Sequence, residues 1–139
     1  MSQEEDLQKY MVMIEQYKEQ LNQLELQSQY LQALVNDYNK AKITLENIKK
    51  SSKESEMLLP IGGSTYINAK AKDTSKVLVD IGAGIVTEKT AEEAIEKIDK
   101  RLEEIQKNQE KLVAIMQSVQ SEATEISLKA QQIMDEQNK

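Results

Sequence analysis

The sequence contains no cysteine, histidine, tryptophan or phenylalanine among its 139 residues. Without cysteine the chain can form neither a disulfide framework nor a thiolate site, which fits a reducing cytosol. Without histidine it also lacks the commonest general base and the usual ligand of zinc. The carboxylates lie mostly among lysines on predicted helix faces, where solvated ion pairs are their expected role. The composition therefore predicts a protein that is not an enzyme and holds no metal or cofactor.

Proline and glycine are scarce, with one Pro and four Gly, all between residues 60 and 84. No apolar run approaches the roughly 20 residues that would span a bilayer. The N-terminus is acidic and polar, where a signal peptide would be basic and then apolar. The net charge of −6, with no basic cluster, argues against nucleic acid as a partner. We expect a soluble, cytoplasmic protein without a nucleic-acid or membrane partner.

Apolar residues recur in steps of three and four over two long stretches, a spacing typical of coiled coils. The first repeat comprises Leu7, Tyr10, Ile14, Tyr17, Leu21, Leu24, Ser28, Leu31, Val35, Tyr38, Lys42 and Leu45. The second comprises Ala91, Ile95, Ile98, Leu102, Ile105, Gln109, Leu112, Met116, Val119, Ala123, Ile126, Ala130 and Ile133. Thr90 to Glu93 form a capping box. In it the Thr hydroxyl accepts a hydrogen bond from a backbone amide, and the Glu93 side chain reaches back to the backbone amide of the cap residue.

Two long helices joined by a short, turn-rich middle are expected to fold back on each other as an antiparallel pair. Contacting residues should then have numbers that sum to about 140, and both chain ends should lie together. A parallel dimer of each helix is the competing geometry. The predicted fold class is mainly α, a long antiparallel coiled-coil hairpin with two central β-hairpins.

The middle contains two candidate hairpins, centred on Gly62-Gly63-Ser64 and on Gly82-Ala83-Gly84. Because Pro60 cannot donate to a strand ladder, it should lie at an edge, a strand start or a bulge. Gly82-Ala83-Gly84 does not fit a dinucleotide loop, because Thr87 stands where a third glycine belongs and another strand follows. The predicted segments are an N-terminal helix over 1–56, an assembly module over 57–89 and a C-terminal helix over 90–139.

Short two-stranded hairpins are marginally stable alone and leave open edges. Their apolar residues, among them Leu58, Ile67, Val77 and Val79, would have little of their own chain to pack against. Pairing with hairpins of other subunits, in a closed sheet or barrel, would relieve both problems. We therefore expect the middle to contribute to an intersubunit β-barrel.

The chain ends carry more apolar residues than a coiled coil requires. Tyr10 to Ile14 are five consecutive apolar positions, of which Val12 and Met13 must face away from the repeat, and Leu128 and Met134 also fall outside it. One interpretation is that they widen the apolar stripe or pack against a neighbouring helix. The other is a binding surface for varied clients, since methionine adapts to many apolar surfaces.

The stretches "LLPIGGSTYINAK" and "KVLVDIGAGIVTEKTAEEA" resemble the α-class subunit of prefoldin, most closely the archaeal form. The resemblance covers nearly the whole chain and is most specific in these hairpins. It implies a hetero-hexamer of two α-class and four β-class subunits, whose hairpins form a double β-barrel carrying six coiled coils. It further implies ATP-independent capture of nonnative proteins at the coil tips and their delivery to a group II chaperonin.

Carried onto this sequence, the resemblance and the apolar pattern together assign two sets of residues. The candidate client-binding residues are Leu7, Tyr10, Met11, Val12, Met13, Ile14, Leu128, Ile133 and Met134. The candidate assembly residues are Leu58, Leu59, Ile61, Tyr66, Ile67, Val77, Leu78, Val79, Ile81, Ile85 and Val86. The alternative function is a structural coiled-coil spacer or scaffold subunit with no chaperone activity.

Overall fold

The computed structural model describes residues 2–50 and 56–138. The elements run α1 (Gln3–Lys50), β1 (Glu56–Gly62), β2 (Thr65–Lys70), β3 (Val77–Asp80), β4 (Val86–Lys89) and α2 (Ala91–Gln137). The predicted architecture of two long helices and two central β-hairpins is confirmed. The first helix was predicted to end in the fifties, and residues 51–55 lie outside the described residues.

Backbone contacts divide the chain into two compact units. The terminal unit comprises Met1–Leu34 and Ile105–Lys139, and the central unit comprises Val35–Glu104. Each unit therefore contains a part of both helices, and the central unit also contains both hairpins.

Each helix begins at a hydroxyl cap. The amide of Glu93 donates to Thr90 Oγ1 over 3.1 Å, as the capping box predicts. The Glu93 carboxylate accepts from the Thr90 hydroxyl over 3.2 Å, whereas the prediction had it contact the cap's backbone amide. At α1 the amide of Glu5 donates to Ser2 Oγ over 3.2 Å, a cap that the sequence analysis missed.

The helices of the terminal unit pair antiparallel around the predicted repeat. Ile105, which is 1% exposed, begins a row of buried residues on α2 that continues at seven-residue intervals with Leu112, Val119 and Ile126. The facing repeat residues of α1, from Leu7 to Leu31, are half-buried. The Gln3 side chain donates to Glu136 over 2.7 Å, and the Gln109 side chain to Gln32 over 3.4 Å. The numbers in both pairs sum to about 140, as an antiparallel pair requires.

The helices of the central unit are also antiparallel. Lys42 Nζ lies 2.8 Å from Asp99 Oδ1, and Lys49 Nζ lies 3.4 Å from Glu92 Oε1. Lys42 is a polar interruption of the first repeat, and this ion pair explains how the helix pair accommodates it. The hydrogen bond and the charge of Asp99 raise the pKa of Lys42 above its ordinary value.

The two hairpins form separate two-stranded antiparallel sheets. In the first, the register shifts between Pro60 and Gly62, so the proline borders an irregularity, one of the three positions expected for it. Its turn has φ values of 105°, 56° and 59° at Gly62, Gly63 and Ser64, in the left-handed region that favours glycine. In the second, the Asp80 carboxylate accepts from the Gly82 amide over 2.8 Å and holds the turn.

Candidate functional site

The first hairpin exposes apolar side chains on both faces. Directly opposed residues of an antiparallel pair share a face, and here Leu59 opposes Ile67 while Pro60 opposes Tyr66. Alternation along β1 puts Leu58 on the same face as Tyr66. Leu58, Leu59, Tyr66 and Ile67 are all exposed. The hairpin therefore presents apolar surface in both directions, as well as its strand edges.

The second hairpin has two unlike faces. Leu78, which is 72% exposed, shares one face with the exposed Val86. Val77 and Val79 are half-buried on the other face, where they line a groove of about 520 Å³ together with Tyr38 and Ile98 of the helices. Val77 and Val79 were expected to have little of their own chain to pack against, and their partial burial beside the helices corrects that expectation. These two residues pack the hairpin onto the helices of the central unit.

The other candidate assembly residues lie where a partner could reach them. Ile81 and Ile85 flank the second turn, and the amide of Ile81 donates to the carbonyl of Ile85 over 2.9 Å. Nine of the candidates are exposed, namely Leu58, Leu59, Ile61, Tyr66, Ile67, Leu78, Ile81, Ile85 and Val86. They include every large exposed apolar residue of the hairpins, and the assembly role of the set stays a prediction.

The candidate client residues converge at one end of the terminal unit, the tip, formed by residues 3–14 and 126–137. The contact between Gln3 and Glu136 joins its two helices. Four candidates are exposed: Met11 by 56%, Val12 by 58%, Leu128 by 61% and Met134 by 39%. The others are half-buried, namely Leu7, Tyr10, Met13, Ile14 and Ile133. Met13 therefore flanks the repeat, in contrast to the expectation that it faces away.

Carboxylates outnumber lysines in the two segments that form the tip. The first turn of α1 carries Glu4, Glu5 and Asp6, which interact favourably with the positive end of the helix dipole. At the end of α2, Glu136 lies at the negative end of the helix dipole. The Gln3 side chain donates a hydrogen bond to its carboxylate there. Further along, partial burial and then Glu122 raise the pKa of Tyr17 above its ordinary value. The tip thus combines neutral apolar side chains with an excess of negative charge.

A groove along one side of the terminal unit was not predicted from the sequence. It passes small side chains of α2, including Ala123 and Ser127, and ends beside Leu128. A cluster of small residues next to the second repeat was the pattern that could have revealed it.

Among residues 2–50 and 56–138, no group of acidic side chains is placed to hold a metal ion. No helix within the described part of the chain has the length and apolar character needed to cross a membrane.

Together these features define a class of protein: paired helices with exposed apolar residues on two β-hairpins and at a shared tip. The family model for prefoldin subunits matches residues 17–136. The prefoldin subunit alpha of Archaeoglobus fulgidus is 34% identical over 126 residues, which cover 91% of this chain and 92% of that protein. The chain therefore belongs to the prefoldin family, whose members are chaperone subunits.

Two further similarities were found. The prefoldin subunit alpha of Nitrosopumilus maritimus is 37% identical over 110 residues, covering 76% of this chain and 72% of its own. A cryo-EM structure of filamentous PFD from Methanocaldococcus jannaschii aligns with 96% of this chain and 98% of its own, with a TM-score of 0.48 and 21% identity.

Proposed function

We propose that this chain is a subunit of an ATP-independent chaperone that captures nonnative proteins at its tip and passes them to a group II chaperonin. The observation that carries the proposal is the exposure of Met11, Val12, Leu128 and Met134 together at that tip. Exposed apolar side chains there can cover apolar segments of an unfolded chain, and methionine adapts to segments of different shape.

Each tip is small, so a single contact would be weak and readily reversed. Several tips acting on one client raise the effective concentration of binding sites and thereby the overall affinity. This mechanism requires an assembly of several subunits, and the hairpins supply the surfaces for it.

The proposed assembly is a hetero-hexamer of two α-class and four β-class subunits, joined through the hairpins in a double β-barrel. Membership of the prefoldin family supports β-class prefoldin subunits as partners. The open strand edges and the exposed Leu58, Tyr66, Leu78 and Val86 support the hairpins as the joining surface. In this proposal residues 57–89 act as the assembly module, between an N-terminal segment 1–56 and a C-terminal segment 90–139. The cytoplasmic location stays a prediction.

The test is aggregation of a chemically unfolded protein diluted into buffer without ATP, followed by light scattering with and without the complex purified with this chain. Suppressed scattering is the expected result. Unchanged scattering would contradict holding and would favour the alternative function, a coiled-coil spacer. Transfer is tested separately, by adding a group II chaperonin with ATP and measuring the recovery of native client with and without the complex.

A further inference from the structure

The methionines of this chain are its most readily oxidised side chains. The sequence has six of them and no cysteine, whose thiolate would otherwise react first with a peroxide. It also has no tryptophan and no histidine. An oxidant that reaches this chain therefore meets methionine sulfur as its main target.

The methionines differ in how far solvent reaches them. Five lie within the part of the chain that the structure describes. Met11 is 56% exposed and Met134 is 39% exposed. Met13, Met57 and Met116 are half-buried. Because a peroxide must approach the sulfur from solvent, Met11 and Met134 should react first.

The two exposed methionines both belong to the tip, one on each helix. Met11 lies in α1 and Met134 in α2, and the contact between Gln3 and Glu136 joins the two helices there. They are two of the four candidate client residues that are exposed at the tip. Oxidation of both would change half of that exposed apolar set.

The hairpins carry no exposed methionine among the described residues. Their large exposed apolar side chains are those of leucine, isoleucine, valine and tyrosine. Met57, the single methionine of the strands, is half-buried. An oxidant would therefore alter the tip and leave the proposed joining surface unchanged.

Oxidation of a methionine by hydrogen peroxide is a balanced two-electron step. The O–O bond breaks, one oxygen atom forms a bond to the thioether sulfur, and the other leaves as water. The sulfur loses two electrons and the peroxide gains them. The product is a sulfoxide, which puts a polar group on a side chain that was apolar.

The surroundings of Met11 offer little to satisfy a sulfoxide. Its side chain lines a shallow depression of about 430 Å³ with Val12, Glu15, Gln16 and Glu19. The two glutamates are acceptors, as a sulfoxide oxygen is, so only the Gln16 amide can donate a hydrogen bond to it. Water would hydrate the rest of the group, and a client that covered it would have to displace that water.

We propose that Met11 and Met134 are oxidation sites through which a peroxide reversibly switches off client binding at the tip. This inference rests on the proposed function and adds a modification that regulates it. Methionine sulfoxide reductases, with a dithiol as the reductant, remove the oxygen as water and restore the thioether. The apolar surface of the tip is thereby regained.

The first measurement locates the oxidation. The complex purified with this chain is treated with hydrogen peroxide for increasing times, and peptide mapping by mass spectrometry follows the gain of one oxygen at each methionine. Met11 and Met134 should react roughly fivefold faster than Met57 and Met116, because their side chains are more exposed. Equal rates at all four, or faster reaction at Met57 or Met116, would overturn the assignment.

The second measurement tests the switch by light scattering of an unfolded client without ATP, after catalase has removed the peroxide. Each preparation is compared with itself before treatment. Roughly threefold more of the oxidised complex should be needed for the same suppression, because weaker tips lower the affinity of a multivalent contact. Treatment with the reductases should restore holding, and the mass of the complex should stay constant throughout.

Leucine variants show which methionines are responsible. Met11→Leu with Met134→Leu removes both exposed sulfurs and keeps apolar side chains of similar volume, so peroxide should change its holding much less. The matched control, Met57→Leu with Met116→Leu, should lose holding as the unaltered chain does. Oxidation of the other subunits is common to all preparations, so the difference between the variants reports this chain.

The results also separate the switch from the proposed function. An equal loss in the tip variant and the unaltered chain overturns the switch, as does holding that survives with both methionines oxidised, and in either case holding itself stands. A complex that dissociates on oxidation overturns the restriction of the effect to the tip. If the untreated complex does not suppress aggregation, the proposed function fails, while the peptide map still decides the oxidation sites.

Discussion

At the scale of single residues, the polar interruptions of the two repeats have different consequences. Lys42 pairs with Asp99 over 2.8 Å. Gln109 contacts Gln32 on the facing helix. Ser28 instead leaves open space and lines a cavity of about 740 Å³. The sequence alone marked all three positions as interruptions, but it did not distinguish them, because each outcome depends on the residue across the helix pair.

The ion pair of Lys42 predicts a loss of stability at alkaline pH. Its pKa in the folded chain is raised above the ordinary 10.5, so its contribution is complete below that pH and is lost as the pH rises through the folded value. Asp99→Asn should remove this part of the pH dependence. Thermal unfolding by circular dichroism, measured on both chains below and above pH 10.5, checks it. Tyr17, whose pKa is also raised, is present in both chains and contributes equally to the pH dependence of each. An equal loss of stability in the two chains would therefore contradict the prediction for Lys42.

The cap of α2 predicts a second effect at the residue scale. Thr90→Ala leaves the Glu93 amide without its side-chain acceptor. The free energy of unfolding should fall by about 1 kcal/mol, within the roughly 0.5–2 kcal/mol typical of N-caps. Chemical denaturation measures the change. Thr90→Ser retains the hydroxyl and should restore most of the stability, and an equally unstable Ser variant would show that the cap is not responsible.

At the scale of elements, the second hairpin shows where sequence-based prediction was insufficient. Its existence and turn were predictable, because apolar runs flank Gly82-Ala83-Gly84. Its orientation was not, because Val77, Leu78 and Val79 are all apolar and their alternation does not distinguish the two faces. The structure shows that Val77 and Val79 face the helices, whereas Leu78 is exposed. The helices were easier to predict, because the residues that they bury recur every seven positions in the sequence.

The two faces of this hairpin should respond differently to substitution. Leu78→Asp with Val86→Asp should dissociate the complex while the helix melting temperature is retained, because both side chains are exposed. Val79→Asp should also lower the free energy of unfolding, by about 1–3 kcal/mol, because it puts a charge against the helices. Light scattering of the complex in solution gives its mass, and circular dichroism gives the melting curve. An intact complex in the first variant would contradict the assembly role of this face.

At the scale of the whole molecule, the candidate residues fall into two groups, one on the hairpins and one at the tip. The convergence of residues 10–14 with 128–134 was predictable, because an antiparallel pair brings both chain ends together. Which of them are exposed was less predictable. Met13 lies one position from Ile14 of the repeat, and a small rotation of the helix decides whether such a residue is covered.

The tip predicts a loss of holding without a loss of assembly. Replacing Met11, Val12, Leu128 and Met134 by Ser removes the exposed apolar side chains of the tip. Roughly tenfold more complex should then be needed to suppress aggregation of an unfolded protein, because weakening each tip weakens a multivalent contact disproportionately. The matched control is Ile43→Ser with Ile115→Ser, two exposed apolar residues outside the tip. Holding that is unchanged in the tip variant, or equally reduced in the control, would contradict the prediction.

The pairing between residues whose numbers sum to about 140 also limits how the length of this chain can change during evolution. A deletion of seven residues from α1 alone, between residues 35 and 50, would move every contact of the terminal unit by one heptad. Ser28, Gln109 and their neighbours would then meet the wrong partners. A compensating deletion of seven residues at the facing position of α2 would restore them. Insertions and deletions in the helices should therefore survive as mirrored pairs, one on each side of the hairpins.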